Sequence, residues 1–504
     1  MAALRTSILA NYAGQAWIAV MGIAFMPQYI RLLGMEAFGL VGMMLSFTAI
    51  LQVFDFGIGG AANRALSRNA HQPSLNDSSQ DLVRTSECII WALAAVVALL
   101  LLGASDWLAT HWLHLQSFTV EQAARAIAIM GLSIALLWPS VFYANCLSGL
   151  ERQPQLNSVQ AAFAALRYAG VLPVMWWVAP DIEVFLWWHA LVGAAQSLVT
   201  GWLVSRYLPK GGRKAQIAPR VLYGNSRFAG GLFFIGVLAL GVSQTDRLVL
   251  ISLRPLEELG YYTLALSIAA GLGRMVQPMF NALYPRFSRL VAQKDKVGLK
   301  VLYHLSSQYL AVVLFATSSV LMVFAYEVLW FWTGDSELAG KVAPTLMLLV
   351  AGAVLNGLMN IPYALQLAYG WTRLAAGLNV TSLLIGVPLC FWAVKYYGML
   401  GAALPWFLGN LIFLLIGIPL MHRRLLHGQA RGWYLLDNIP SMFMGGVIAL
   451  ALHTLLPDLE RNLEGLAWLA FASAITLLGC SLTSPAIRAA VKEWVSECRA
   501  GRAN

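Results

Sequence analysis

Charge is scarce in this chain: only 11% of its 504 residues are Asp, Glu, Lys or Arg, against about 25% in soluble globular proteins. That shortage excludes an ordinary water-soluble domain. Five cysteines without a CxxC pair exclude a disulfide framework or a thiolate zinc site. Pro209-Lys-Gly-Gly-Arg-Lys214 lacks the Gly-x4-Gly-Lys-Ser/Thr spacing of a phosphate loop, so nucleotide-driven action is not expected. His111-x-x-His114 has no third ligand nearby, and no metal or cofactor is expected. No polar stretch is long enough for a catalytic domain. The chain does not read as an enzyme, and its function must reside in what its apolar segments enclose.

Those segments are what the sequence does contain. Hydrophobic residues make up 59% of it, and a bilayer crossing needs about 20 mostly apolar residues. The pattern predicts fourteen spans, at 8–30, 37–62, 86–106, 124–149, 158–180, 183–207, 226–252, 259–285, 303–332, 342–369, 374–397, 400–421, 439–456 and 464–483. The first is too long for the apolar core of a cleavable signal and runs straight into the second, so no cleavable leader is expected.

Basic residues orient the spans. Twenty-four of the 33 Lys and Arg fall in alternate connections and the termini, and five on the opposite side. Both termini are therefore expected in the cytoplasm. The net charge of +10 reflects this topology and contact with anionic inner-leaflet lipid, each such residue being worth roughly 1 kcal/mol. Nucleic acid is an unnecessary partner. The stretch Pro209–Arg220 reads as a lipid-surface strip or a solvated linker. Trp107, Trp112, Trp176, Trp177, Trp330 and Trp332 read as outer-interface anchors.

An internal repeat organises the chain. Leu33-Gly34 precedes the second span and Leu259-Gly260 the eighth. Gly149-Leu-Glu-Arg152 ends the fourth, and Gly370-Trp-Thr-Arg373 the tenth. Equivalent points are six spans apart, an even number, so the halves share one orientation. The expected fold is an all-α polytopic membrane protein with two pseudo-symmetric six-helix lobes, 1–208 and 226–421, around a central cleft. Residues 209–225 form a basic linker, and 422–504 supply spans 13 and 14 and a cytoplasmic tail. Pro27, Pro139, Pro173, Pro278, Pro344, Pro362, Pro388 and Pro405 lie in or near spans, where the missing amide hydrogen permits a kink.

Ionisable residues at bilayer depth cost at least about 2.5–3.5 kcal/mol on insertion scales and mark cavities or partners. Arg167 and Arg274 stand near mid-depth. A guanidinium stays charged and grips phosphate or carboxylate through two parallel hydrogen bonds, so these two suit an anionic head group. The structural alternative is a buried pair with a carboxylate such as Asp55. Asp55, in Asp55-Phe-Gly57-Ile-Gly59-Gly60, could tie to Arg64 near the cytoplasmic mouth or bind a coupling cation. Asp246 and Arg247 most simply neutralise each other, and His189 reads as a hydrogen-bonded core residue.

Several stretches together resemble the Wzx-type polysaccharide transporters of the multidrug/oligosaccharidyl-lipid/polysaccharide (MOP) exporter superfamily. They are Asn11, Leu33-Gly34-Met-Glu-Ala-Phe38-Gly39-Leu40, Asp55-Phe-Gly57 with Arg64, and Gln244-Thr-Asp246-Arg247. Glu258-Leu-Gly260-Tyr261-Tyr262, Gln277-Pro278 through Pro285, and Gly370-Trp-Thr-Arg373 complete the set, which covers roughly residues 1–421. The resemblance implies an inner-membrane flippase for polyprenyl-diphosphate-linked oligosaccharide, serving O-antigen, capsule or exopolysaccharide synthesis. It also implies contact with a polysaccharide polymerase and glycosyltransferases of the same pathway; from their charge and depth, Arg167, Arg274 and Arg64 are the residues expected to face the substrate. Alternatives are a lipid II flippase, though the family's basic run across spans 1 and 2 is missing, an ion-coupled drug or cation antiporter, and a membrane glycosyltransferase or polymerase.

Overall fold

A computed structural model of the chain describes Gly14, residues 16–69, Gln72, 75–218, 226–455 and 460–500. Arg5, Asn11, Arg220 and Arg502 lie outside the described residues, as do the side chains of Arg227, Cys498 and Arg499. Among the described residues every extended element is a helix, and twelve segments are long and apolar enough to cross a membrane. They differ from the expected fourteen at two places. Residues 259–285 fall inside a 37-residue helix, Leu256–Ala292, whose Glu257, Glu258, Arg274, Arg286 and Arg289 make it less apolar. Residues 374–397 and 400–421 fall inside one segment, Arg373–Leu425, within which Gly398 leaves helical geometry at φ 57 and ψ −134.

Short polar residues start several helices by satisfying free amide hydrogens. Thr119 and Gln122 cap Val120–Gly149 reciprocally. Asp181, Asp295, Asp335 and Asn462 each accept a backbone N–H at the start of the helix that follows.

Proline marks three of the breaks. Pro27, Pro173 and Pro362 each follow by a few positions a turn residue at which one helix gives way to the next: Phe25, Gly170 and Met359. The missing donor leaves the carbonyl one turn back without its helical partner, so the chain bends there. Pro139, Pro278, Pro344, Pro388 and Pro405 sit within helices that continue past them.

Contacts divide the chain into two compact units, Met1–Gly260 and Tyr261–Asn504. In the first unit Ser226–Leu253 packs with Met35–Val53 because glycines admit close approach. A Cβ on Gly236 would lie 2.8 Å from Val53, one on Gly39 2.2 Å from the Leu256 carbonyl oxygen, and one on Gly260 2.6 Å from that of Met35. The second Leu-Gly landmark thus packs on Met35, the residue that follows the first. The two landmarks also do different things: Gly34 turns the chain at φ 84, whereas Gly260 is helical.

The second unit centres on Lys296–Val323, whose Tyr303, Leu310 and Val320 are buried. The two C-terminal spans pack onto it. Val320 and Phe324 meet Ala449 and Ala472, and a Cβ on Gly445 would fall 2.8 Å from Ser319 Oγ. Gln308 ties the junction together, donating to Asp437 at 2.8 Å and accepting from Ser484 Oγ at 3.1 Å and Ala486 N at 3.0 Å.

The Gly149 and Gly370 landmarks both end helices in the same hydrogen-bonded turn. Arg152 N donates to Leu147 O and Glu151 N to Ser148 O; Trp371 N donates to Gln366 O and Gly370 N to Leu367 O. This double bond is the Schellman closure. Its left-handed residue is Glu151 (φ 59) in one half and Gly370 (φ 67) in the other. The halves therefore correspond two residues out of step with the Gly149/Gly370 pairing. Gly149 is glycine for another reason: a Cβ there would meet the Asn63 carbonyl oxygen at 2.6 Å.

Over its described part the basic linker is not a freely solvated tether but is pinned by hydrogen bonds to the Asn76–Trp107 helix. Gln216 N and Ala218 N donate to Asp81 Oδ1 and Thr85 Oγ1 at 2.7 and 2.9 Å. The Arg213 guanidinium grips both oxygens of Asp81, which is 3% exposed. Asn76 and Gln80 donate to the carbonyls of Lys210 and Pro209. Asp77 stands so close that a Cβ on Gly211 would collide with it. One face of the Asn76–Trp107 helix thus carries the linker along its first turns.

Candidate functional site

Arg167 ends Gln153–Tyr168. Its Nη2 donates to Gln196 Oε1 at 2.6 Å, across to Ile182–Tyr207. Its Nε is buried with no hydrogen-bond partner. The expected alternative, a pair with Asp55, is not what forms, and among the described residues no carboxylate neutralises this guanidinium. His189 lies two turns from Gln196 on the same helix, buried, stacked on Phe185 at 4.1 Å and bonded through Nδ1 to the Phe185 carbonyl at 2.9 Å. Its structural reading is the one the geometry supports. Tyr29 closes the group from the first span, with its hydroxyl donating to the Tyr168 carbonyl and its ring edge-on to Phe185.

Arg274, in the second unit, is exposed on Leu256–Ala292, together with Gln277 and Asn281. The spacing of three and four places the three on one helix face, and Gln277 Nε2 donates to Asn281 Oδ1 at 3.1 Å. Phe280 stacks on Tyr284 and Tyr363 at 6.2 and 6.0 Å beside that face. A polar row of this kind is costly against lipid and suits an aqueous lining. The two arginines are not repeat equivalents. Counting on from the paired turns, Gly386 stands opposite Arg167; counting on from the Leu-Gly landmarks, Thr48 stands opposite Arg274.

Asp55 serves as a cap. Met35–Val53 and Ile58–Asn69 are one span broken at Phe54–Gly57, where Phe56 and Gly57 take φ 51 and φ 72. The Asp55 carboxylate accepts Gly57 N at 2.7 Å and Gly59 N at 3.2 Å, starting the second piece. Its oxygens are thus held by backbone rather than by a tie to Arg64, which is exposed on that piece. Asp246 and Arg247 meet through the Arg247 amide, at 2.8 Å. The guanidinium turns instead to Ser46 Oγ at 3.4 Å and Gln244 Oε1 at 3.2 Å, with Nε buried and unpartnered.

Two further acids, buried Glu36 and half-buried Glu87, also escaped sequence reasoning. Glu36, 7% exposed, accepts the amides of Gln116 and Ser117 at 2.7 and 2.6 Å, pinning the loop before Val120–Gly149. Glu87 accepts the Tyr143 hydroxyl at 2.5 Å and Arg84 at 2.9 Å, while Trp91 donates to the same hydroxyl at 3.1 Å. The helical spacing of Arg84, Glu87 and Trp91 was a readable signal for this second cluster. Among the described residues no group of acids, histidines and cysteines could hold a metal ion.

Residues 4–291 match the family model described as polysaccharide biosynthesis protein. The chain belongs to that family. A second model, MatE, matches residues 232–392. A Shigella flexneri protein named "Putative O-antigen transporter" is 21% identical over 415 residues, 81% of this chain and 94% of its own. Lipid II flippase MurJ in an inward closed conformation superposes with a TM-score of 0.65 at 13% identity, covering 94% of this chain and 98% of its own. An inward-facing multidrug resistance MATE family transporter of the MOP superfamily gives 0.63 at 15% identity, covering 82% and 94%. This family member is thus an all-helical, multi-pass membrane protein with a MOP superfamily transporter fold, as the sequence resemblance implied.

Proposed function

We propose that the protein is a flippase that carries a polyprenyl-diphosphate-linked oligosaccharide across the bacterial inner membrane by alternating access, with both termini cytoplasmic. The product would feed O-antigen, capsule or exopolysaccharide synthesis, in company with a polymerase and glycosyltransferases. Arg167 carries the reading: a guanidinium at membrane depth, balanced by no carboxylate among the described residues, with a donor left over. A diphosphate answers each of those features. Arg274 on its Gln277/Asn281 row offers a second cation for diphosphate or acidic sugar, and exposed Arg64 a third nearer the basic side. Asp246, Arg247 and Asp55 hold the helices around the route. The prenyl tail stays in the bilayer throughout, so only the polar head needs a protein-lined path. The family match and the name of the Shigella flexneri relative support the substrate class.

The test is depletion in the host, complemented with wild type, Arg167→Gln, Arg274→Gln or the double variant at matched protein level, with lipid-linked oligosaccharide assayed by leaflet. Complete units facing the cytoplasm are expected on depletion and in every variant. Intact flipping in the double variant would overturn the assignment of these residues. Normal carrier pools with altered dye efflux would point to an antiporter, and periplasmic accumulation to polymerisation.

A further inference from the structure

Lys296, Lys300, His304 and Gln308 follow one another at intervals of four on the Lys296–Val323 helix, a single row along one face. Val297, Val301 and Leu305 form the adjoining row, and all three are exposed. The two rows line a cavity of about 810 Å³ whose far wall is Pro485 and Ala486, at the start of the Pro485–Ala500 helix. Its floor is fastened by the Gln308 bonds to Asp437, Ser484 and Ala486. Both ring nitrogens of His304 are occupied, by Asp437 at 2.5 Å and Gln429 at 3.1 Å. The ring therefore walls the cavity, and the two lysines bring the charge.

That pairing of features selects the occupant. A soluble anion has no use for a row of exposed valines, and a neutral lipid has none for two ammonium groups. From Lys296 to Leu305 the helix rises roughly 13 Å, a depth that takes a ligand from head-group level into hydrocarbon. We propose that this cavity holds one anionic glycerophospholipid, its phosphate on Lys296 and Lys300 and an acyl chain along Val297, Val301 and Leu305. The site is narrower than the general attraction of basic loops to an anionic leaflet, and its lining shares no residue with the Arg167, Arg274 and Arg64 set. Bound there, the lipid braces the Lys296–Val323 helix against the Pro485–Ala500 helix.

The experiment uses the full chain, delipidated in detergent and mixed with phosphatidylglycerol or phosphatidylcholine of identical chains, with bound lipid counted by native mass spectrometry. Wild type should retain one phosphatidylglycerol in preference to phosphatidylcholine. Lys296→Gln/Lys300→Gln and Val301→Trp, each checked for monodisperse elution, should lower that retention at least fivefold. Lys210→Gln/Lys214→Gln, neither of which lines the cavity, should keep it. Undiminished retention in the Lys296/Lys300 variant overturns the proposal. So does equal loss in the Lys210/Lys214 control, or displacement of the phosphatidylglycerol by an added polyprenyl diphosphate.

Discussion

Arg152 lies over the ring of Tyr207 at 4.6 Å, joining the start of one span to the end of the next. The second half has the same contact with cation and ring exchanged: Arg424 lies over Trp371 at 4.5 Å. Arg152 and Trp371 occupy the same position in the two Schellman turns. The repeat has therefore kept an interaction while trading the residues that make it, which a comparison of residue types alone would miss.

A cation–π pair at an exposed site is worth about 0.5–1 kcal/mol. Arg152→Tyr and Tyr207→Arg should each lower thermal stability in detergent. The double variant, which rewrites the first pair in the order of the second, should recover most of the loss. A double variant no better than the sum of its parts would show that the contact contributes nothing.

The same turns make a second prediction. Glu151 holds a left-handed conformation that costs a side-chain-bearing residue roughly 1–2 kcal/mol, partly offset by the greater unfolded-state freedom of glycine, about 0.4–1 kcal/mol. Glu151→Gly should therefore raise stability by up to about 1 kcal/mol, and Gly370→Ala should lower it by a similar amount. Thermal unfolding of the two variants checks both signs.

Much of this was readable in advance, and the failures have physical causes. The membrane class, the all-helical fold and the repeat follow from apolar run length and from landmarks that recur six spans apart. The Arg247 guanidinium bonds to Ser46 and Gln244 were not readable from the Asp246–Arg247 adjacency, because neighbouring side chains on a helix point about 100° apart. The Schellman register misled because a left-handed residue need not be glycine. The anchored linker was out of reach because Arg213 and Asp81 are 132 residues apart in sequence. Glu36 was hidden more deeply still, since its partners are backbone amides that no residue type announces.

The linker anchor has a direct consequence. Asp81 holds Arg213 and the Gln216 amide together, and the carboxylate raises the pKa of the Arg213 guanidinium above its already high value through hydrogen bonding and charge. Asp81→Asn should free the segment, so that trypsin cuts at Lys210, Arg213 or Lys214 several-fold faster than in wild type. Arg213→Gln should leave the remaining basic sites similarly accelerated. Unchanged cleavage rates in both would mean that the backbone bonds from Asn76, Gln80 and Thr85 suffice to hold the strand.

Asp55 offers the sharpest separation between structure and coupling. Asn keeps one side-chain oxygen for the shorter bond, to Gly57 N, and loses the longer one to Gly59 N, whereas Ala removes both acceptors and costs about 0.5–2 kcal/mol. A cation or proton site requires the carboxylate charge itself. With the carboxylate bound to Gly57 and Gly59 at 2.7 and 3.2 Å, Asp55→Asn should retain transport and most of the stability, while Asp55→Ala should lose more stability. The closeness of Gly59 to Asp55 Oδ2 and Asn145 Nδ2, 2.9 and 2.8 Å from where a Cβ would stand, predicts that Gly59→Ala disturbs the same corner. If Asp55→Asn instead folds normally and stops transport, the charge is the point, and the broken span at Phe54–Gly57 serves to present it.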